Sequence, residues 1–88
     1  MNLYAYILLG LGDEIVGVYS SVKSAYRDGL KMCNRTTSPV HIVERNGALK
    51  KTSLVEVRAY FKDKERDVLK MVAGRGTVVK ILKCPFQS

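Results

Sequence analysis

The sequence predicts an α+β fold: a small antiparallel or mixed sheet with two helices gathered on one face, in the order β-β-α-β-β-α-β. Short β-rich runs occur in pairs, and segments of helical periodicity follow these pairs without a regular strand-helix alternation. The chain has 88 residues, of which 47% are hydrophobic and 26% are charged. This composition leaves room for one core, so residues 1–88 are expected to form a single compact domain.

The first two strands are predicted near the N-terminus. Residues 3–9, LYAYILL, are apolar or aromatic at every position, which is typical of a central strand covered on both faces. Residues 14–19, EIVGVY, form a second β-rich run. Because a short connection containing Gly and Asp separates the two runs, we expect an antiparallel hairpin.

A first amphipathic helix is predicted to follow. Ser20 or Ser21 can cap its N-terminus, and Asn34 can end it. At about 100° per residue, the apolar side chains fall on one side of this helix. Gly29 lies on that side and would allow close packing on a sheet. The opposite side carries a line of basic residues at intervals of four: Lys23, Arg27, Lys31 and Arg35.

A second hairpin and a second helix are predicted in the middle of the chain. Asn46-Gly47 is a strong hairpin signal because both residues tolerate the positive φ of a type I′ turn, so we expect strands near 40–45 and 48–52. Ser53 and Glu56 form a capping-box pattern, which places the start of the helix at Leu54.

The end of that second helix is less well determined by the pattern. Helical periodicity continues as far as Val72, although the charged run KDKERD indicates a break near Lys62. Gly74 is a suitable helix end. The β-rich run TVVKILK predicts the last strand at 77–83.

The charge of the chain limits the kinds of partner that it is expected to bind. Fifteen Lys and Arg against eight Asp and Glu give a formal charge of +7. Residues 1–47 hold five basic and four acidic residues, whereas residues 48–88 hold ten and four. Such a balance is typical of a nucleic-acid-binding domain, but a basic protein can equally dock on an acidic protein or an anionic membrane surface.

Three groups of basic residues are candidate phosphate contacts. The basic line of the first helix could track a phosphate backbone, although a solvated helix face is the favoured explanation, since any surface helix needs charge on its outer side. Lys50 and Lys51 are the cleaner pair of a second group on the late hairpin and helix. The other members are Arg58, Lys62, Lys64 and Arg66, which Asp63, Glu65 and Asp67 partly neutralise. Arg75, between two glycines, could grip a phosphate from a turn or only face solvent.

Two tyrosines are candidate residues for stacking on a base. Tyr4 and Tyr6 share one face of the first strand, where paired aromatics can stack on unpaired RNA bases or belong to the core. The chain lacks the aromatic signature of the common four-stranded RNA-recognition module.

The sequence offers little support for catalysis or for a cofactor. His41 is the one histidine, and it has no partner at short spacing in the sequence. Cys33 and Cys84 lack metal-ligand spacing, and no phosphate-binding GxxxxGK[ST] motif occurs. We therefore predict a protein that is not an enzyme, with no metal site and no cofactor, and keep a hydrolase centred on His41 as the minor alternative.

The same features predict a soluble protein of the cytoplasm. Two cysteines far apart in sequence are typical of thiols in a reducing compartment, and no apolar stretch approaches the roughly 18 residues that span a bilayer. A chain of this length buries only about 60% of the surface that its unfolded state exposes. A homodimer is therefore a possible source of added stability.

The segment EIVGVYSSVKSAY, a strand ending in GVYSS that continues into a helix with an Ala-aromatic pair, resembles the N-terminal half of short accessory proteins encoded by tailed phages. The resemblance covers barely a third of the chain. It implies a small factor of the host cytoplasm that binds a host nucleic acid or protein and blunts a defence, including basic inhibitors of RNA-cleaving toxins in toxin-antitoxin systems.

Together these observations predict a regulatory or inhibitory protein that binds nucleic acid, with RNA favoured over DNA because no groove-reading helix motif is recognisable. The predicted contacts are Lys23, Arg27, Lys31, Arg35, Lys50, Lys51 and Arg75. The alternative is an inhibitor that docks its basic face on an acidic host protein.

Overall fold

The protein is α+β, with a six-stranded antiparallel sheet and two helices, in a computed structural model that describes residues 4–33, 39–62 and 67–85. Asn34 and Arg35 lie outside the described residues. The strand order across the sheet is β2-β1-β6-β5-β3-β4. The elements are β1 (Tyr4–Leu9), β2 (Ile15–Tyr19), α1 (Val22–Cys33), β3 (His41–Val43), β4 (Leu49–Lys51), α2 (Leu54–Phe61), β5 (Asp67–Ala73) and β6 (Thr77–Pro85).

The structure has one strand more than the sequence predicted. α2 ends at Phe61, which confirms the break indicated near Lys62, but the residues that continue the helical periodicity to Val72 belong to a strand, Asp67–Ala73. Within it Leu69, Met71 and Ala73 are buried while the residues between them are not, which is the alternation of a strand. The order is therefore β-β-α-β-β-α-β-β, and Gly74 opens the 3-10 turn Gly74–Gly76 between two strands rather than ending a helix.

Both predicted helix starts are confirmed by their caps. The Ser21 hydroxyl accepts a hydrogen bond from the Ser24 backbone N–H at 3.2 Å, and the Ser53 hydroxyl accepts one from the Glu56 N–H, also at 3.2 Å. Each hydroxyl thereby satisfies an N–H that has no partner inside its helix.

The Asn46-Gly47 hairpin is confirmed, but its turn differs from the predicted type I′. Gly47 has a φ of +87°, whereas Asn46 is not among the residues of positive φ. The Gly47 N–H donates to the Glu44 carbonyl at 2.8 Å, and the Glu44 N–H donates to the Ala48 carbonyl at 2.8 Å. This is the arrangement of a hairpin loop in which a tight turn is followed by one left-handed residue.

Both helices pack on the same face of the sheet, as predicted. α1 contacts β1, β2, β5 and β6, and α2 contacts β5 and α1. The buried apolar side chains lie in this layer, where Leu8, Ile81 and Leu69 from the sheet meet Ala25 and Phe61 from the helices. The prediction that the first strand is covered on both faces was wrong: β1 is internal, between β2 and β6, but the helices cover only one of its faces.

Neither described helix combines the length and the apolar character that crossing a membrane requires.

Candidate nucleic-acid interface

The basic line of α1 lies on the outer side of that helix. Ala25, Gly29 and Cys33 recur every four residues on the buried side. Lys23, Arg27 and Lys31 are exposed, and Lys31 makes one long contact with Asp28, at 4.0 Å. These three cations define the α1 stripe. An exposed ion pair of that length contributes little to stability.

Lys50 and Lys51 do not form one contact surface, because successive residues of a strand point to opposite faces. Lys50 lies on the helix side and binds the Glu56 carboxylate at 3.0 Å and that of Glu44 at 3.7 Å. The hydrogen bond and charge of Glu56, with a smaller effect of Glu44, raise the pKa of Lys50. Lys51 is exposed on the other face, opposite His41.

Arg75 lies in the 3-10 turn Gly74–Gly76 that joins β5 to β6. It was predicted in a helix-to-strand turn, and the turn instead connects two strands. β6 runs nine residues from this turn to Pro85. At about 3.3 Å per residue, its two ends are roughly 26 Å apart. Arg75 is therefore far along the sheet from any site at the Pro85 end.

At that Pro85 end, the structure forms a groove between α2, the start of α1 and the ends of β1 and β6. Its volume is about 390 Å³. It is open to solvent on one side. We call it the aromatic-basic groove, and it is lined by Tyr4, Tyr6, Val22, Arg58, Ala59, Phe61, Lys62 and Lys83.

Lys83 forms the floor of this groove. Only 6% of its surface is exposed, and its ammonium donates a hydrogen bond to the Phe61 carbonyl at 2.5 Å. The Phe61 carbonyl is one of those left without an intrahelical partner at the end of α2. The same ammonium lies 4.2 Å from the centre of the Tyr4 ring, a cation–π contact. Lys83 thus holds one positive charge at a fixed position beside a part-exposed aromatic ring.

Tyr6 is partly buried and packs against the hydrophobic core. Its ring packs edge-on against Phe61, with ring centres 5.8 Å apart. Burial, and to a smaller extent the neighbouring Tyr4, raises the pKa of Tyr6. Its hydroxyl is therefore protonated at neutral pH and can donate a hydrogen bond at the edge of the groove.

Arg58 and Lys62 supply the exposed charge of the groove. They are four residues apart at the end of α2, so their side chains project from the same side. Among the described residues, no carboxylate is ion-paired with either of them. An anion in the aromatic-basic groove would meet these two cations without displacing a carboxylate of the described residues.

A second groove, on the other side of α2, has the opposite character. Its volume is about 380 Å³, and its lining includes the carboxylates of Glu44 and Glu56. Its arginine, Arg45, is already bound to the Asp67 carboxylate and lies 4.4 Å from the centre of the Tyr60 ring. This groove does not attract an anion, which leaves the aromatic-basic groove as the better candidate.

The structure brings the predicted contacts together only in part. Lys23, Arg27 and Lys31 share the exposed side of α1, whereas Lys50 is ion-paired with two glutamates. Lys51 and Arg75 lie elsewhere on the sheet. Sequence reasoning missed Lys83, which meets Tyr6 only through the pairing of β1 with β6. The available signal was the pair Tyr4 and Tyr6 on one face of a strand, which indicates the aromatic part but not the charges around it.

The described residues hold no group of three or more His, Cys, Asp or Glu placed to bind a metal ion. His41 lies on β3, and Cys33 and Cys84 lie on opposite sides of the sheet. No protein-family model, curated protein or solved structure matches the chain.

Proposed function

We propose that the protein binds single-stranded nucleic acid, RNA in preference to DNA, with an unpaired base in the aromatic-basic groove and the phosphate backbone along the α1 stripe. The observation that carries this proposal is the meeting of Arg58, Lys62 and Lys83 with two tyrosines in one groove. Cations beside aromatic rings are the combination that binds a single strand, since phosphates and bases are contacted together.

The groove favours a single strand over a duplex. A base can stack on the Tyr4 ring only when it is unpaired, because the bases of a duplex are stacked inside it. Val22, the first residue of α1, lines the groove, and Lys23 of the α1 stripe is the next residue, about 100° further around the helix. In the proposed complex, a strand leaving the groove turns at this point onto the outer side of α1.

The proposed role is regulatory: the protein covers a strand on which another protein would act and does not cleave it. This part rests on the resemblance of residues 14–26 to phage accessory proteins that blunt host defences.

The decisive experiment measures binding of a fluorescent single-stranded RNA by anisotropy across a salt series, with single-stranded and duplex DNA in parallel. If Arg58, Lys62 and the three residues of the α1 stripe each neutralise one phosphate, the slope of log affinity against log salt is about −3.5 for a single strand. Reversing two of these charges, in R58E/K62E or in R27E/K31E, makes the slope shallower by about 1.4.

The matched control is K51E/K70E, which changes the net charge by the same amount on the opposite face of the sheet. We expect it to retain the wild-type slope. Tyr4→Ala should weaken RNA binding by about 1–3 kcal/mol, the usual contribution of one stacked base. Equal losses in R58E/K62E and K51E/K70E would show that only overall charge matters, and no binding at low salt would end the proposal.

A further inference from the structure

The face of the sheet opposite the helices is uncovered over the described residues. On β5 and β6, the buried residues all lie on the helix side: Leu69, Met71, Ala73, Val79, Ile81 and Lys83. Three cross-strand pairs follow one another along this opposite side, which we call the open face: Val68 with Leu82, Lys70 with Lys80, and Val72 with Val78.

The open face is broad and aliphatic. Ile7 and Leu9 of β1 continue it beside Leu82 and Lys80, and Val18 of β2 continues it further beside Ile7. Val18 is 61% exposed and Val68 is 39% exposed. Six strands about 4.8 Å apart span about 24 Å. Uncovered apolar surfaces of this extent commonly mark a binding site for another macromolecule.

The charges at its centre define what can cover it. Lys70 and Lys80 are directly opposite each other on neighbouring strands, an unfavourable arrangement of like charges. Lys80 is compensated by the Asp13 carboxylate, 3.0 Å away, which reaches it from the β1–β2 turn. Lys70 is exposed, and no carboxylate of the described residues is ion-paired with it. The open face is therefore complementary to an aliphatic surface that brings one carboxylate to Lys70.

We propose that the open face binds an amphipathic helix of an acidic partner protein, with an aspartate or glutamate of the helix on Lys70 and aliphatic side chains on either side of it. The spacing fits a helix that lies along β5 and β6. Successive rows of the open face are about 6.8 Å apart, and residues i, i+4 and i+8 of a helix are separated by about 6 Å each. Aliphatic, acidic and aliphatic residues at i, i+4 and i+8 match the three cross-strand pairs.

Two other occupants fit less well. In a face-to-face pair of identical chains, Lys70 and Lys80 would lie near their own copies, and the α1 stripe offers cations instead of carboxylates. RNA is disfavoured because the aromatic residues of the described strands, Tyr4, Tyr6 and Tyr19, lie on the helix side. Apart from His41 on β3, a base would find aliphatic and lysine side chains on the described part of the open face.

The test uses a synthetic helical peptide of about 18 residues, long enough to be substantially helical, with leucines along one face and a glutamate at its centre. Titration into ¹⁵N-labelled protein should shift backbone resonances of β1, β5 and β6 saturably, with smaller changes in α1. Lys70→Glu should weaken binding at least about tenfold, because it places two carboxylates together. The matched control Arg58→Glu, on the helix side, should bind the peptide as the wild type does.

Four results would overturn the proposal. Two concern the peptide: binding no tighter than about 1 mM, or equal affinity for a peptide with lysine in place of the glutamate. The other two concern other occupants: dimerisation of the protein through the open face, or open-face resonance shifts caused by single-stranded RNA or phosphatidylglycerol vesicles instead of the peptide. Because Arg58→Glu impairs only RNA binding and Lys70→Glu only peptide binding, failure here is distinguishable from failure of the proposed nucleic-acid site.

Discussion

The Tyr19 hydroxyl joins the end of β2 to the middle of α1. It donates a hydrogen bond of 2.6 Å to the Asp28 carboxylate. This bond raises the pKa of Tyr19 to about 12 from an ordinary value of 10.0, and burial and the negative charge of Asp28 act in the same direction. Asp28 looks from the sequence like a solvated residue of the polar helix face, but it anchors the helix to an edge strand.

This contact predicts how stability depends on pH. Below about pH 10 the phenol is protonated in both states, so its contribution is fully present. Between pH 10 and about 12 the unfolded chain loses the proton while the folded protein holds it, and stability falls. In Asp28→Asn, which removes the carboxylate, Tyr19 should ionise closer to pH 10, and the alkaline loss of stability should be smaller.

The measurement is the tyrosinate absorbance of the five tyrosines against pH, combined with urea melts in the same range. Asp13→Asn is the control, since it removes an equal charge from the β1–β2 turn, away from Tyr19. An unchanged titration curve in Asp28→Asn would show that the hydrogen bond does not hold the proton of Tyr19.

At the scale of single elements, α1 packs closely on the sheet because glycine occupies its central buried position. A Cβ at Gly29 would lie 3.2 Å from the Met71 sulfur and 3.5 Å from a methyl of Leu8. Met71 and Leu8 are both fully buried, so they have little room to move away. The sequence predicted this approach, from a glycine on the apolar side of an amphipathic helix.

Substitution of Gly29 separates helix propensity from packing. In Gly29→Ala, the higher helix propensity of alanine stabilises the fold by about 1 kcal/mol, and the tight contact with Met71 costs a similar amount. We therefore expect the free energy of unfolding to change by no more than about 1 kcal/mol. Valine adds two methyl groups in the same space and should destabilise by about 2–3 kcal/mol in urea unfolding. Lys31→Val, on the exposed side of α1, measures the propensity cost of valine alone. Equal losses of unfolding free energy in Gly29→Val and Lys31→Val would contradict close packing at Gly29.

The elements that the sequence predicted well are those determined by local contacts. The Ser21 and Ser53 caps, the turn at Gly47 and the face of α1 each depend on residues within four positions of one another. β5 was misassigned although it pairs with β6, the next strand of the chain, because Val68, Leu69 and Val72 also fit a helical period. The strand instead buries the alternating residues Leu69, Met71 and Ala73. The groove was not predictable for a different reason, since Tyr6 and Lys83 are far apart in sequence and meet only by strand register.

At the scale of the whole molecule, the sheet separates two surfaces of different chemistry. The helix side carries the α1 stripe and the aromatic-basic groove, and the opposite side is aliphatic around Lys70 and Lys80. A sheet covered by helices on one face only leaves apolar area in water, which favours self-association. The two central lysines and the overall charge of +7 oppose this association by like-charge repulsion. The two lysines therefore limit the self-association that the apolar face would otherwise favour.

This balance predicts the behaviour of a variant that removes one of the two lysines. In Lys70→Leu the open face gains an aliphatic side chain at its centre and loses a charge that no carboxylate of the described residues pairs, so two copies can stack there with less repulsion. We expect the wild-type chain to sediment as a monomer at about 0.1 M salt, where charges within roughly 10 Å still interact, and Lys70→Leu to associate as its concentration rises. Arg58→Leu makes the same change of net charge on the helix side and should remain monomeric. If both variants associated equally, net charge alone would keep the chain monomeric, and Lys70 would have no special place on the open face.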